Sequence, residues 1–115
     1  MAHAGQIVLF RFPQTDLRPG KLRPALIIEK LPGPFDDWLI CMISSQTHHR
    51  IEGFDKVVTS TDTDFPQSGL KSASLVRVGR LAVVDVSVLI GSIGEVESGR
   101  LERVKTNLVN WLNTE

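Results

Sequence analysis

Apolar residues in this chain come in short runs, separated by prolines, glycines and acidic pairs, and only near the C-terminus does their spacing change to a helical one. The stretch Gln6 to Phe12 is β-branched and aromatic, with Arg11 as its one break, which predicts a strand apolar on both faces and therefore central in its sheet. Pro13 ends it. Residues 13–22 carry two prolines, a glycine and three charges, a connection longer than a hairpin turn and of the kind that carries function. Ala25 to Glu29 predicts a second strand, broken by Leu31-Pro32-Gly33-Pro34, and Trp38 to Ile43 a third. Val57 to Thr59 predicts a short strand, residues 60–69 a loop, and Ser74 to Val84 a longer strand that bulges or bends at Gly79. Asp85 to Val96, broken by Gly91 and Gly94, predicts a turn and a short last strand. Leu101, Val104, Leu108 and Trp111 then recur at +3, +4 and +3, with Leu112 beside them, on one helical face that packs on the core. That helix, N-capped by Ser98, spans about 15 residues and roughly 22 Å.

Short strands closed by one amphipathic helix predict a mainly β (α+β) fold, a small curled antiparallel sheet or barrel, in a single domain over residues 1–115. A chain of this length buries about 65% of its unfolded surface, enough for a core without staples. The single cysteine, Cys41, lies in an apolar run and excludes an internal disulfide framework. Apolar runs stop far short of the ~20 residues that span a bilayer, and the N-terminus lacks the pattern of a signal peptide, so a cytoplasmic protein without membrane contact is expected. Net charge is zero, but it is distributed in blocks: +3 over residues 1–30, −4 over 31–64, +3 over 65–84 and −2 over 85–115. Two basic blocks folded side by side would make a positive patch, although alternating blocks are also what ordinary surfaces carry.

The candidate chemistry lies in two places. In Gly20-Lys21-Leu22-Arg23-Pro24, the proline pushes Arg23 towards extended backbone at the mouth of a strand. A guanidinium there either binds a phosphate with its fork of donors or is one more exposed strand-end arginine. Ser44-Ser45-Gln46-Thr47, followed by His48 and His49, is either a hydroxyl cluster for orienting a phosphate or a strand-exit turn. A hydroxyl and a guanidinium converging on one phosphate can promote RNA cleavage by the RNA's own 2′-OH, with a histidine able to move protons near neutral pH. Nothing in the sequence spells a phosphate-binding glycine loop, a metal-ligand cluster or a nucleophile elbow.

An ordered series of segments resembles the MazF/PemK family of bacterial toxin endoribonucleases. It comprises Gly5-x-Ile7-Val8, Gly20-x-x-Arg23-Pro24-Ala25-Leu26-Ile27-Ile28 and Ile43-Ser44-Ser45-Gln46. It continues through Gly69-Leu70-x-x-x-Ser74, Leu81-Ala82-Val83-Val84-Asp85 and Ile93-Gly94-x-Val96 ahead of the C-terminal helix, and so covers nearly the whole chain. The resemblance implies an SH3-like β-barrel, a homodimer, and metal-independent, cofactor-free cleavage of single-stranded RNA at short sequences through a cyclic phosphate. It implies Arg23 and Ser44 as catalytic residues, Ser44 standing where the family has threonine, and a gating role for residues 13–22. It also implies a cognate antitoxin with a disordered acidic segment. Gln6, where many members have aspartate, and Ser44 are departures. Arg11, Arg18, Lys21, Gln46, Thr47, His48, Lys71, Arg77 and Arg80 are the candidates for RNA contact. Two alternatives stand beside this reading: a non-catalytic poison like the CcdB-type gyrase inhibitors, and a decayed member acting as a binding module.

Overall fold

The computed structural model describes residues 2–11 and 21–114. Among the described residues, six strands form one sheet: β1 Gln6–Arg11, β2 Leu22–Lys30, β3 Asp37–Ser44, β4 Lys56–Val58, β5 Ser74–Asp85 and β6 Ser92–Glu95. Their order is β4-β5-β3-β2-β1-β6, and every pairing is antiparallel. The expected central strand β1 indeed has β2 on one side and β6 on the other. A four-residue helix, α1 (Phe65–Ser68), interrupts the stretch expected as loop, and α2 (Ser98–Leu112) is the expected C-terminal helix.

The continuous apolar runs follow from burial of both sheet faces, since successive strand residues point to opposite sides. On one face Ile7, Leu26, Ile28, Cys41, Ile43, Val76 and Val78 pack with Leu101, Val104 and Leu108 of α2. On the other, Val8, Ala25, Ile27, Trp38 and Ile40 form a smaller cluster, flanked by Ala82, Val86 and Leu89. The sheet curls into a half-barrel of SH3-like form where its registers slip. Cys41 pairs with Leu81 but Ile43 with Val76, so β5 has extra residues there, and Gly79 is among them. The bend expected at Gly79 is therefore present, and Phe54 occupies the space beside it.

Two expectations about α2 are corrected. Its N-cap is Glu97, not Ser98, and neither side chain caps the helix. Its apolar face also runs past the sheet: Leu101, Val104 and Leu108 are buried, but Trp111 is 49% and Leu112 65% exposed. Trp111 touches only the rim of the core, edge-on to Phe54 with ring centroids 5.7 Å apart. The helix is simply longer than the sheet it covers, so a periodic apolar face outlasts its partner. No helix among the described residues is long and apolar enough to cross a membrane.

Candidate nucleic-acid interface

Arg23 and Ser44 lie at the same end of neighbouring strands. β2 pairs with β3 as Ala25↔Met42, Leu26↔Cys41 and Ile27↔Ile40, and this register continued two residues sets Arg23 opposite Ser44. β2 begins at Leu22, earlier than the sequence suggested, and Pro24 is paired with Leu9 of β1. The β2–β3 ladder begins only at Ala25, so Pro24 stands where β2 has a neighbour on one side alone, a place that tolerates its missing N–H. Arg23 is half-buried and Ser44 is 4% exposed.

Both residues line a cavity of about 420 Å³. Its apolar lining comes from Leu9, Leu22, Ile43, Leu70 and Ile93, and its polar groups from Arg23, Ser44, Ser45, Lys71, Ser72 and Ser74. Among the described residues its lining has two cations, Arg23 and Lys71, and no carboxylate. Neither cation is ion-paired to a described residue. A positive, hydroxyl-rich, partly apolar cleft suits an anion that also carries a flat apolar group, as a nucleotide does. Ser44 Oγ accepts a hydrogen bond from the Gln46 backbone N–H at 3.0 Å. That bond fixes the hydroxyl oxygen while leaving its proton free to point elsewhere. It offers serine here the rotamer restraint that threonine would obtain from its methyl.

The remaining predicted contacts are scattered. Lys71 joins Arg23 and Ser44 in the cavity lining, whereas Arg11, Lys21, Gln46, Thr47, His48, Arg77 and Arg80 are not part of it. Arg11 ends β1, opposite Leu22, and Lys21 directly precedes β2. Thr47 to His49 form a 3-10 turn just beyond β3, where the His48 and His49 rings meet edge-on at 4.3 Å. Arg77 and Arg80 fall within the bent part of β5. Arg18 and most of the 13–22 connection lie outside the described residues. Among the described residues, no three of His, Cys, Asp and Glu gather as a metal site would require. Ser72 and Ser74, not singled out for contact, reach the cavity because Gly69 turns the chain out of α1 towards it.

A buried ion pair, Asp64 with Arg100, stands outside the cavity lining. Asp64, 1% exposed, accepts hydrogen bonds from Arg100 Nε at 2.8 Å, Arg100 Nη2 at 3.0 Å and the Glu97 backbone N–H at 3.2 Å. The Arg100 bonds, helped by the Glu97 N–H and the guanidinium charge, hold its carboxyl below the usual carboxylate range against the effect of burial. Arg100 also meets Asp62 at 3.2 Å and donates to the Val57 carbonyl at 3.2 Å. Nothing local signals this pair, because its members are 36 residues apart.

Comparison with known proteins agrees with this architecture. A sequence comparison with curated proteins finds no match. Among solved structures, the MazE–MazF complex of Deinococcus radiodurans is similar at 22% identity, with a TM-score of 0.68 over 99% of this chain and 97% of that one. An endoribonuclease in complex with its cognate antitoxin, from mycobacterial species, is similar at 14% identity and a TM-score of 0.68, over 100% and 98% of the two chains. A MazF toxin of Mycobacterium tuberculosis is similar at 17% identity and a TM-score of 0.66, over 96% and 98%. At these identities the likeness is one of fold. Residues 3–112 match the sequence family described as PemK-like, MazF-like toxin of type II toxin–antitoxin system, and with nearly the whole chain matched, this protein belongs to that family.

Proposed function

We propose that this protein is the toxin of a toxin–antitoxin pair and a metal-independent, sequence-specific endoribonuclease acting on single-stranded RNA. The observation that carries the reading is the shared cavity: Arg23 and Ser44 line one cleft with Lys71 and, among the described residues, no carboxylate. The 2′-hydroxyl loses its proton to solvent as its oxygen bonds to the adjacent phosphorus and the P–O5′ bond breaks, and the departing 5′-oxygen takes a proton from solvent, leaving a 2′,3′-cyclic phosphate and a 5′-hydroxyl. Arg23 presents its donor fork to the phosphoryl oxygens and offsets the charge that grows on them. Ser44, held by the Gln46 N–H, turns its hydroxyl proton to the phosphate and keeps it in line with the attacking oxygen. Gln46 and residues 13–22 contact flanking nucleotides. The active form is a homodimer in the cytoplasm, restrained by a cognate antitoxin, as the MazE–MazF complexes of similar fold suggest.

The test is cleavage of defined RNAs in EDTA, with 5′-end mapping of the products. Loss of a preorganised group that stabilises transition-state charge costs about 10²- to 10³-fold in rate, and Arg23→Ala is expected to show it. An Arg23→Ala protein as fast as wild type sinks the assignment. A second reading, a non-catalytic poison that binds a protein target, draws on the exposed Trp111 and Leu112 at the end of α2. Inhibition of gyrase supercoiling with RNA left intact is the result that would favour it.

A further inference from the structure

The cavity wall that carries Lys71 is built with unusual closeness. Gly69 ends α1 with φ of +74°, and a Cβ there would lie 2.0 Å from the Ile93 carbonyl oxygen. Gly94 is its counterpart on β6, where a Cβ would lie 2.2 Å from the Gln67 carbonyl oxygen. Backbone thus rests on backbone, with no side chain to give way. Immediately before α1 stands Asp64, and its buried carboxylate holds the first turn of α2 through Arg100 and Glu97. One carboxylate therefore ties the start of α1 to the start of α2. From the far end of α1 the chain passes straight into Gly69, Leu70, Lys71 and Ser72, all of which line the cavity.

We propose that the Asp64–Arg100 pair is a positioning device for RNA binding: it fixes the Gly69–Ser72 wall so that Lys71 meets the phosphate next to the one held by Arg23. This rests on the cavity being an RNA site. A lysine is a point charge on a flexible stem, so what it contributes to a phosphate depends on where its backbone is held. Arg100 itself is buried and cannot reach the ligand. Its influence on binding runs through Lys71, and that coupling separates a positioning role from simple support of the fold.

The experiment measures binding of random-sequence single-stranded RNA, made uncleavable by 2′-O-methylation, across a salt series. The full chain is used as wild type, Lys71→Ala, Arg100→Lys and the double variant, with thermal melting to verify folding. One single-strand phosphate contact is worth about 0.7 in the slope of log K against log salt, so Lys71→Ala is expected to flatten the slope by that amount. Arg100→Lys, which keeps charge but loses the fork, is expected to flatten it likewise, and the double variant no further than Lys71→Ala alone. Should Arg100→Lys not fold, Asp62→Asn, which removes the half-exposed outer partner of Arg100, takes its place in the same cycle. Independent, additive effects overturn the proposal, as does an unchanged slope for Lys71→Ala. Failure of the wild type to bind RNA at all overturns the RNA reading itself.

Discussion

Replacing Asp64 by asparagine keeps the shape of the side chain and removes its charge. Three donors converge on the carboxylate, two of them from Arg100. Arg100 Nη2 bonds one carboxylate oxygen while Arg100 Nε and the Glu97 N–H share the other, so asparagine keeps an acceptor for one set and turns an NH2 group towards the other. One or two bonds to a charged group are lost, each with a net value of about 1.5–3 kcal/mol. The Arg100 guanidinium, 6% exposed, is then left with the partly exposed Asp62 as its carboxylate partner among the described residues. Breaking one side of a buried pair costs about 3–5 kcal/mol, against a total stability of roughly 6–17 kcal/mol for a domain of this length. At about 4 °C per kcal/mol, Tm falls by about 12–20 °C at neutral pH, as calorimetry would record. The pH dependence adds an independent signature. The folded carboxyl of Asp64 titrates below its unfolded value of about 3.9, so in that window the unfolded chain binds more protons. Its contribution is complete above about pH 5 and is lost as pH falls through the folded value. Wild-type Tm therefore drops steeply in acid, and Asp64→Asn lacks that share of the drop. Asp62, held low chiefly by the Thr59 N–H and then by Arg100, keeps its own share in both proteins. A Tm for Asp64→Asn within about 3 °C of wild type at neutral pH would refute this account of the pair.

Other outcomes follow from the same geometry. Ser44→Ala is expected to slow RNA cleavage by about 10²-fold while Ser44→Thr, which keeps the hydroxyl, still cleaves; equal rates for alanine and wild type would remove Ser44 from the mechanism. Gly69→Ala forces a left-handed backbone on alanine and drives its Cβ into the Ile93 carbonyl, a loss of about 2–5 kcal/mol by urea denaturation, contradicted by anything under about 1 kcal/mol. Burial, reinforced by the charge of Asp55, pushes the Cys41 thiol up to about 12, so a thiol reagent near pH 8 is expected to modify the denatured chain and spare the native one. Rapid labelling of the native protein would show that β3 opens.

The apolar pattern alone determined most of the secondary structure. Short apolar runs located the strands to within a few residues, continuous where a strand buries both faces, and the +3, +4, +3 spacing set α2. Gly79 announced a bend because a bulge is where a strand interior tolerates glycine. What each element packs against was not legible. The helical pattern through Trp111 and Leu112 is the same whether a sheet lies beneath it or ends before it, and here it ends. The Asp64–Arg100 pair joins segments whose own composition reads as an exposed loop and a polar helix start, so only the folded chain brings them together. The site divides in the same way. Arg23 and Ser44 each stood out at a strand end, but a side chain's neighbours across a sheet depend on strand order and register, which a single strand does not carry. The β2–β3 pairing brings Arg23 and Ser44 to the same end of neighbouring strands, where both line one cavity, and the Gly69 turn adds Lys71 to its lining. Local pattern thus singled out the candidate residues, and the tertiary arrangement decided which of them share a cavity.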